Sequence, residues 1–258
     1  MVLLLCLVIF DMNIEKIEFK EACFAYGQDS EILSNLSLTI FKGETIVVFG
    51  KSGGGKTTFL KLTEGLIAPI DGDVIINDKL SLKKASKAEL MKYHSHSAFI
   101  FQDSGLLNNM NAYDNLALFL RYSTNKKEKE IKDIIVPVMQ ELSIMEHQNS
   151  LPGQLSRAEK KMISIARAMI INPEMYIYDF PFEGLDYFYI NKIKNIIFEQ
   201  KKKRRTLLIS DNHLDFALEI ADKVLVLYEG KLLFFDSPDK LLQTEHPFIK
   251  ELLEHKRL

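Results

Sequence analysis

The stretch TIVVFGKSGGGKTTFLKL, residues 45–62, leaves a chain few folds to choose from. An apolar β-like run enters G-x-x-x-x-G-K-T at Gly50 to Thr57, and a helical pattern leaves it. The glycines let the backbone curl so that successive N–H groups point at phosphate oxygens, and the following helix adds the positive end of its dipole. In this reading Gly50, Lys51, Ser52, Gly53, Gly54 and Gly55 form a phosphate cradle that continues through Thr58. Lys56 reaches the β- and γ-phosphates of a nucleoside triphosphate, and Thr57 binds Mg²⁺.

The rest of the chain fits an α/β fold around that motif. Short apolar runs alternate with longer helical patterns, the signal for a parallel sheet with crossover helices. Strands are predicted at Thr45 to Phe49, Ser97 to Phe101, Met175 to Tyr178, Thr206 to Ser210 and Lys223 to Leu227. IEKIEF, ACFAY, LSLTI and GDVIIND read as shorter antiparallel strands of an accessory sheet. Between about residues 103 and 171 the strand signal gives way to helical patterns, a helical subdomain inserted in one α/β domain. With 258 residues, 47% of them hydrophobic, the chain can bury a full core.

Charge gives no case for nucleic acid: the formal net charge is −2. The basic run KKKRR, Lys201 to Arg205, reads as the exposed end of the helix INKIKNIIFEQ, where cations complement the C-terminal dipole. His94 and His96 have no Cys or acidic cluster nearby and are expected at the surface. Cys6 and Cys23 are expected to be buried free thiols, in keeping with a reducing cytoplasm. The N-terminal MVLLLCLVIF covers half of the roughly 20 residues that span a bilayer, and it lacks the flanks of a signal peptide. Residues 1–12 are expected to be a non-native or disordered extension, with translation starting at Met12 and Met1 as the alternative.

The order of the remaining elements matters most. Gln102 comes straight off the strand SAFIF, LPGQLSRAEKKMISIARAMI precedes the strand of Asp179, and GLD closes at Asp186. From about Asn13 onward the chain resembles the nucleotide-binding domain of ABC transporters. The resemblance implies a P-loop NTPase RecA-like core with an accessory antiparallel sheet and a helical insert. It implies ATP and Mg²⁺ as ligands, Tyr26 stacking on adenine, Gln102 linking the Mg²⁺ site to the helical subdomain, and Asp179 as the Walker B carboxylate. Asp186 becomes the residue that faces a second subunit across a dimer. Within the family, FQDSGLLNNMNAYDNLALFLR, YDFPFEGLD and the tail HPFIKELL look most like the ATPase subunit of Mla/Mce-type lipid transporters. That likeness divides the chain into a nucleotide-binding domain at 13–240 and a C-terminal helical extension at 241–258. It implies an integral-membrane permease as partner, dimerisation with itself or a related ATPase, an Mce-like lipid-binding protein nearby, and a place on the cytoplasmic face of the membrane.

Three departures from the family pattern fall at the chemistry. Phe180 stands where the family has its catalytic glutamate, and a phenyl ring can neither accept a proton nor position water. Glu183, three residues on, is expected to reach back only if its loop rearranges. LSRAE at Leu155 to Glu159 replaces the glycine-rich signature. Ser156 survives there, as the start of a capping box with Glu159 or as a residual phosphate contact aided by Arg157. Counting back from ALEIADKVLVLYEGK puts Asn212 at the γ-phosphate-sensing position, and a one-residue shift would put His213 there. Together the departures predict nucleotide binding with slow or absent hydrolysis.

Overall fold

Along β3, Ile46 and Val48 are buried in one apolar cluster while Val47 and Phe49 are buried in another. A strand with both faces covered reads as a continuous apolar run, which is why TIVVF carries no polar alternation. The computed structural model describes residues 13–27, 31–212 and 214–254. The expectations for residues 1–12, for Cys6 and for His213 therefore lie outside the described residues.

The strands run β1 (Lys16–Phe24), β2 (Leu33–Phe41), β3 (Thr45–Gly50), β4 (Asp71–Ile76), β5 (Leu80–Ser81), β6 (Ser97–Ile100), β7 (Met175–Asp179), β8 (Thr206–Ser210), β9 (Lys223–Tyr228) and β10 (Lys231–Asp236). The helices are α1 (Lys56–Glu64), α2 (Lys87–His94), α3 (Ala112–Ser123), α4 (Glu128–Glu141), α5 (Arg157–Ile171), α6 (Tyr187–Lys202), α7 (Leu214–Ile220), α8 (Pro238–Leu242) and α9 (Pro247–Glu254). One sheet has the order β2-β1-β4-β5 and is antiparallel; the larger has the order β10-β9-β3-β8-β7-β6 and is parallel except at its β10 edge.

Between the two sheets lies α1, with Phe59 stacked on Phe19 at 4.9 Å between ring centroids. The other face of the large sheet is covered by α3 to α7, and there Leu116, Ile135, Ile163, Ile193 and Phe216 share one cluster. That sandwich leaves the carboxyl ends of β3, β7 and β8 side by side, where ligands bind in open parallel sheets. Register puts Ser210 opposite both Asp179 and Val48.

Several local expectations need correction. IEKIEF and ACFAY are not two strands but the single β1; a bulge at Glu21 (φ 49°) breaks the alternation that would have joined them. β10 has half-buried residues on both faces and no clean period, and it was not anticipated. His94 and His96 are half-buried rather than free at the surface: His94 Nε2 lies 2.9 Å from the Glu64 carbonyl, and His96 Nδ1 lies 3.2 Å from Glu174 Oε1. Cys23 is a free thiol but only half-buried.

Candidate functional site

At the carboxyl end of β3 the chain turns through Gly50 at φ 148°, and a Cβ there would meet the Leu227 carbonyl oxygen at 2.3 Å. Only glycine fits that approach. The loop then enters α1 through Gly55, which offers no side-chain cap, and the first turn carries no acidic residue. The uncapped N–H groups face an open cavity of about 390 Å³ lined by Ser52, Gly53, Gly54, Gly55, Lys56, Thr57 and Thr58, with Gln102, Phe180, Glu183 and Asn212 opposite. Unsatisfied donors at a helix start and an anion-sized space belong together.

Lys56 is 4% exposed, and its ammonium donates to the carbonyls of Gly50 (2.6 Å) and Lys51 (2.9 Å). Burial lowers its pKa, an effect opposed by Asp179 and Asp211. Lys51 lies outside the cavity lining. It sits 3.8 Å from Glu251 and 5.2 Å from the Phe248 ring, so α9 reaches the cradle from behind. Nothing in HPFIKELL announces that contact.

The second part of the site is a corner of side-chain oxygens. The Thr57 hydroxyl donates to Asp179 Oδ1 at 2.9 Å, and the Ser210 hydroxyl donates to the same oxygen at 2.8 Å. Burial raises the Asp179 pKa while these two donors hold it down. Ser210 was not anticipated; its signal is a polar residue closing an otherwise apolar strand beside the aspartate strand. Gln102 lines the cavity and commits its amide nitrogen to Glu183, which leaves its amide oxygen to offer. Hydroxyl, carboxylate and amide oxygens suit Mg²⁺, a hard cation that takes few protein ligands and keeps its waters. These residues would hold it, and bound there it would neutralise phosphate charge.

Phe180 follows directly. Its backbone sits at φ 45°, an uncommon region for a bulky residue, and its N–H donates to Ser210 Oγ at 2.8 Å. The ring half-lines the cavity with its centroid 5.2 Å from the Lys56 ammonium. Glu183 needs no rearrangement to reach this place. It lines the cavity as the loop stands, with Oε2 2.5 Å from Gln102 Nε2 and 3.2 Å from Arg157 Nη2. Asn212 lines the cavity too, its N–H bonded to Asp211 Oδ1.

Other anticipated residues are placed elsewhere. Tyr26 is 48% exposed and packs edge-on against Phe24, outside the cavity lining. Ser156 caps α5: its hydroxyl accepts from Glu159 N–H, and Glu159 accepts from Ser156 N–H at 2.7 Å. Asp186 caps α6 by accepting from Tyr189 N–H at 3.0 Å. Neither lines the cavity of its own chain.

The family model described as "ABC transporter" matches residues 33–183. The probable ribonucleotide transport ATP-binding protein mkl of Mycobacterium leprae is 31% identical over 243 residues, 94% of this chain and 70% of that protein. The same-named protein of Mycobacterium tuberculosis is 32% identical over 230 residues, and the chain spans 64% of its length. A solved ATP-binding cassette dimer in a post-hydrolysis state, bound to ADP and Pi, aligns with a TM-score of 0.79 over 86% of this chain and 98% of its own, at 23% identity, a likeness of fold.

Proposed function

The chain belongs to the ABC transporter family as an ATP-binding subunit, and from that premise we propose that it docks on a separate membrane permease and couples ATP binding, with slowed hydrolysis, to transport of lipid. The observation that carries the reading is the single cavity that joins the uncapped α1 terminus and Lys56 to Thr57, Gln102 and Phe180. The cradle holds the triphosphate and the Thr57–Asp179 corner holds Mg²⁺. Phe180 removes the group that would orient water, so binding outlasts chemistry. Among the described residues no helix is long and apolar enough to cross a membrane.

The lipid assignment is supported by FQDSGLLNNMNAYDNLALFLR and YDFPFEGLD, the stretches similar to Mla/Mce-type ATPases. The named mkl relatives point instead to ribonucleotides, so cargo is a direct test. Affinity purification of the chain from detergent-solubilised membranes is expected to bring down a multi-pass permease, an Mce-like lipid-binding protein and phospholipid. Recovery of a stable monomer with no membrane partner would end the docking proposal, and ribonucleotide uptake by the purified complex would end the lipid one.

A further inference from the structure

Glu183 lines the cavity and is built into the site. A hydrogen bond from its N–H to the Phe180 carbonyl at 3.4 Å folds the loop back, and Phe182, 5% exposed, anchors that loop edge-on against Phe216. Arg157 lies across the turn. At Gly184 (φ 69°) a Cβ would meet Arg157 Nη1 at 2.3 Å, so the guanidinium packs where a side chain would stand. Gln102 grips the same carboxylate oxygen, Oε2, and is itself fixed from below: buried Lys161 donates to the carbonyls of Phe101 and Gln102, both at 2.8 Å. Among the described residues Oε1 takes no hydrogen bond. An ion pair whose side chains are 54% and 46% exposed adds little to stability, so stability does not account for this bracing.

We propose that Glu183 supplies the carboxylate that engages the attacking water, taking over the task that Phe180 cannot perform; this rests on the ATP-binding reading above. Water hydrogen-bonds to Oε1 while Arg157 and Gln102 hold Oε2. Its oxygen bonds to the γ-phosphorus, and the bond from that phosphorus to the β,γ-bridging oxygen breaks. The bridging electrons leave with ADP, and the water proton passes through the carboxylate to the phosphate formed. With Oε2 engaged by Gln102 and Arg157, Glu183 orients the water through a single oxygen, and turnover stays slow.

The test uses the full chain with ATP and Mg²⁺ in three forms: wild type, Glu183→Gln, and Glu183→Gln with Phe180→Glu. Binding of a fluorescent ATP analogue is measured in all three, and phosphate release is compared at equal nucleotide occupancy. Phosphate release is expected to fall at least ~10-fold in Glu183→Gln, and nucleotide recovered from that variant after incubation is expected to be ATP rather than ADP. Adding Phe180→Glu is expected to restore release. Phosphate release in Glu183→Gln within two-fold of wild type would overturn the inference, as would wild-type protein that binds ATP yet releases no phosphate above background. Absence of ATP binding in wild type would sink the ATP reading and this inference together.

Discussion

The Lys56 ammonium lies 5.2 Å from the centroid of the Phe180 ring while donating to the carbonyls of Gly50 and Lys51. A cation over an aromatic face is attracted by the ring quadrupole, so the Phe180 ring helps to hold the Lys56 ammonium. ATP must compete for that ammonium. Lys56→Ala is expected to weaken ATP binding about 10–100-fold, the loss of one charge-assisted contact. Isothermal titration measures it, and unchanged affinity would remove Lys56 from the site.

Thr57 and Asp179 make a separate prediction about the metal. Their oxygens are 2.9 Å apart, and the proposed function puts Mg²⁺ at that corner. Wild-type chain should bind ATP more tightly with Mg²⁺ than with a chelator, and Asp179→Asn should lose most of that difference. A variant that keeps the full Mg²⁺ effect would place the ion elsewhere.

Ser210 joins two strands through one hydroxyl, accepting from Phe180 N–H and donating to Asp179 Oδ1, each at 2.8 Å. Ser210 is fully buried. Ser210→Ala leaves a buried donor and a carboxylate short of partners, at a cost of about 1–3 kcal/mol. Urea denaturation reads that loss; a stability change within 0.5 kcal/mol, roughly that of a neutral surface substitution, would contradict it.

A buried acid sets a pH dependence away from the cavity. Glu64 is 3% exposed, Ser97 Oγ donates to its Oε1 at 2.7 Å, and burial pushes its pKa from 4.5 to about 8. The folded chain keeps this proton where the unfolded chain has lost it. Stability from this group therefore falls as pH rises from about 4.5 to about 8 and is level above that. Glu64→Gln should flatten the fall and add on the order of a few kcal/mol at pH 8. Equal pH profiles for the two proteins would refute a protonated Glu64.

Much of the architecture was legible because it depends on local pattern. The cradle is a contiguous motif, and β7 and β8 are apolar runs buried on both faces, so their boundaries fall within a residue of expectation. The place of Phe180 directly after Asp179 is plain in the sequence, but its ring's approach to Lys56 follows from a backbone φ of 45° that no pattern announces. Glu183 was misread for a different reason. Its partners Gln102 and Arg157 are 81 and 26 residues away, and only the fold brings a loop acid to both. The α9 contact with Lys51 is equally non-local.

The central claim is that this chain binds ATP on an intact cradle while Phe180 limits hydrolysis. Phosphate release at saturating ATP and Mg²⁺, compared between wild type and Phe180→Glu at equal nucleotide occupancy, tests it most directly. A restored carboxylate is expected to raise release at least ~10-fold, the lower part of what a positioned base contributes. Equal, robust turnover in both proteins would contradict the account.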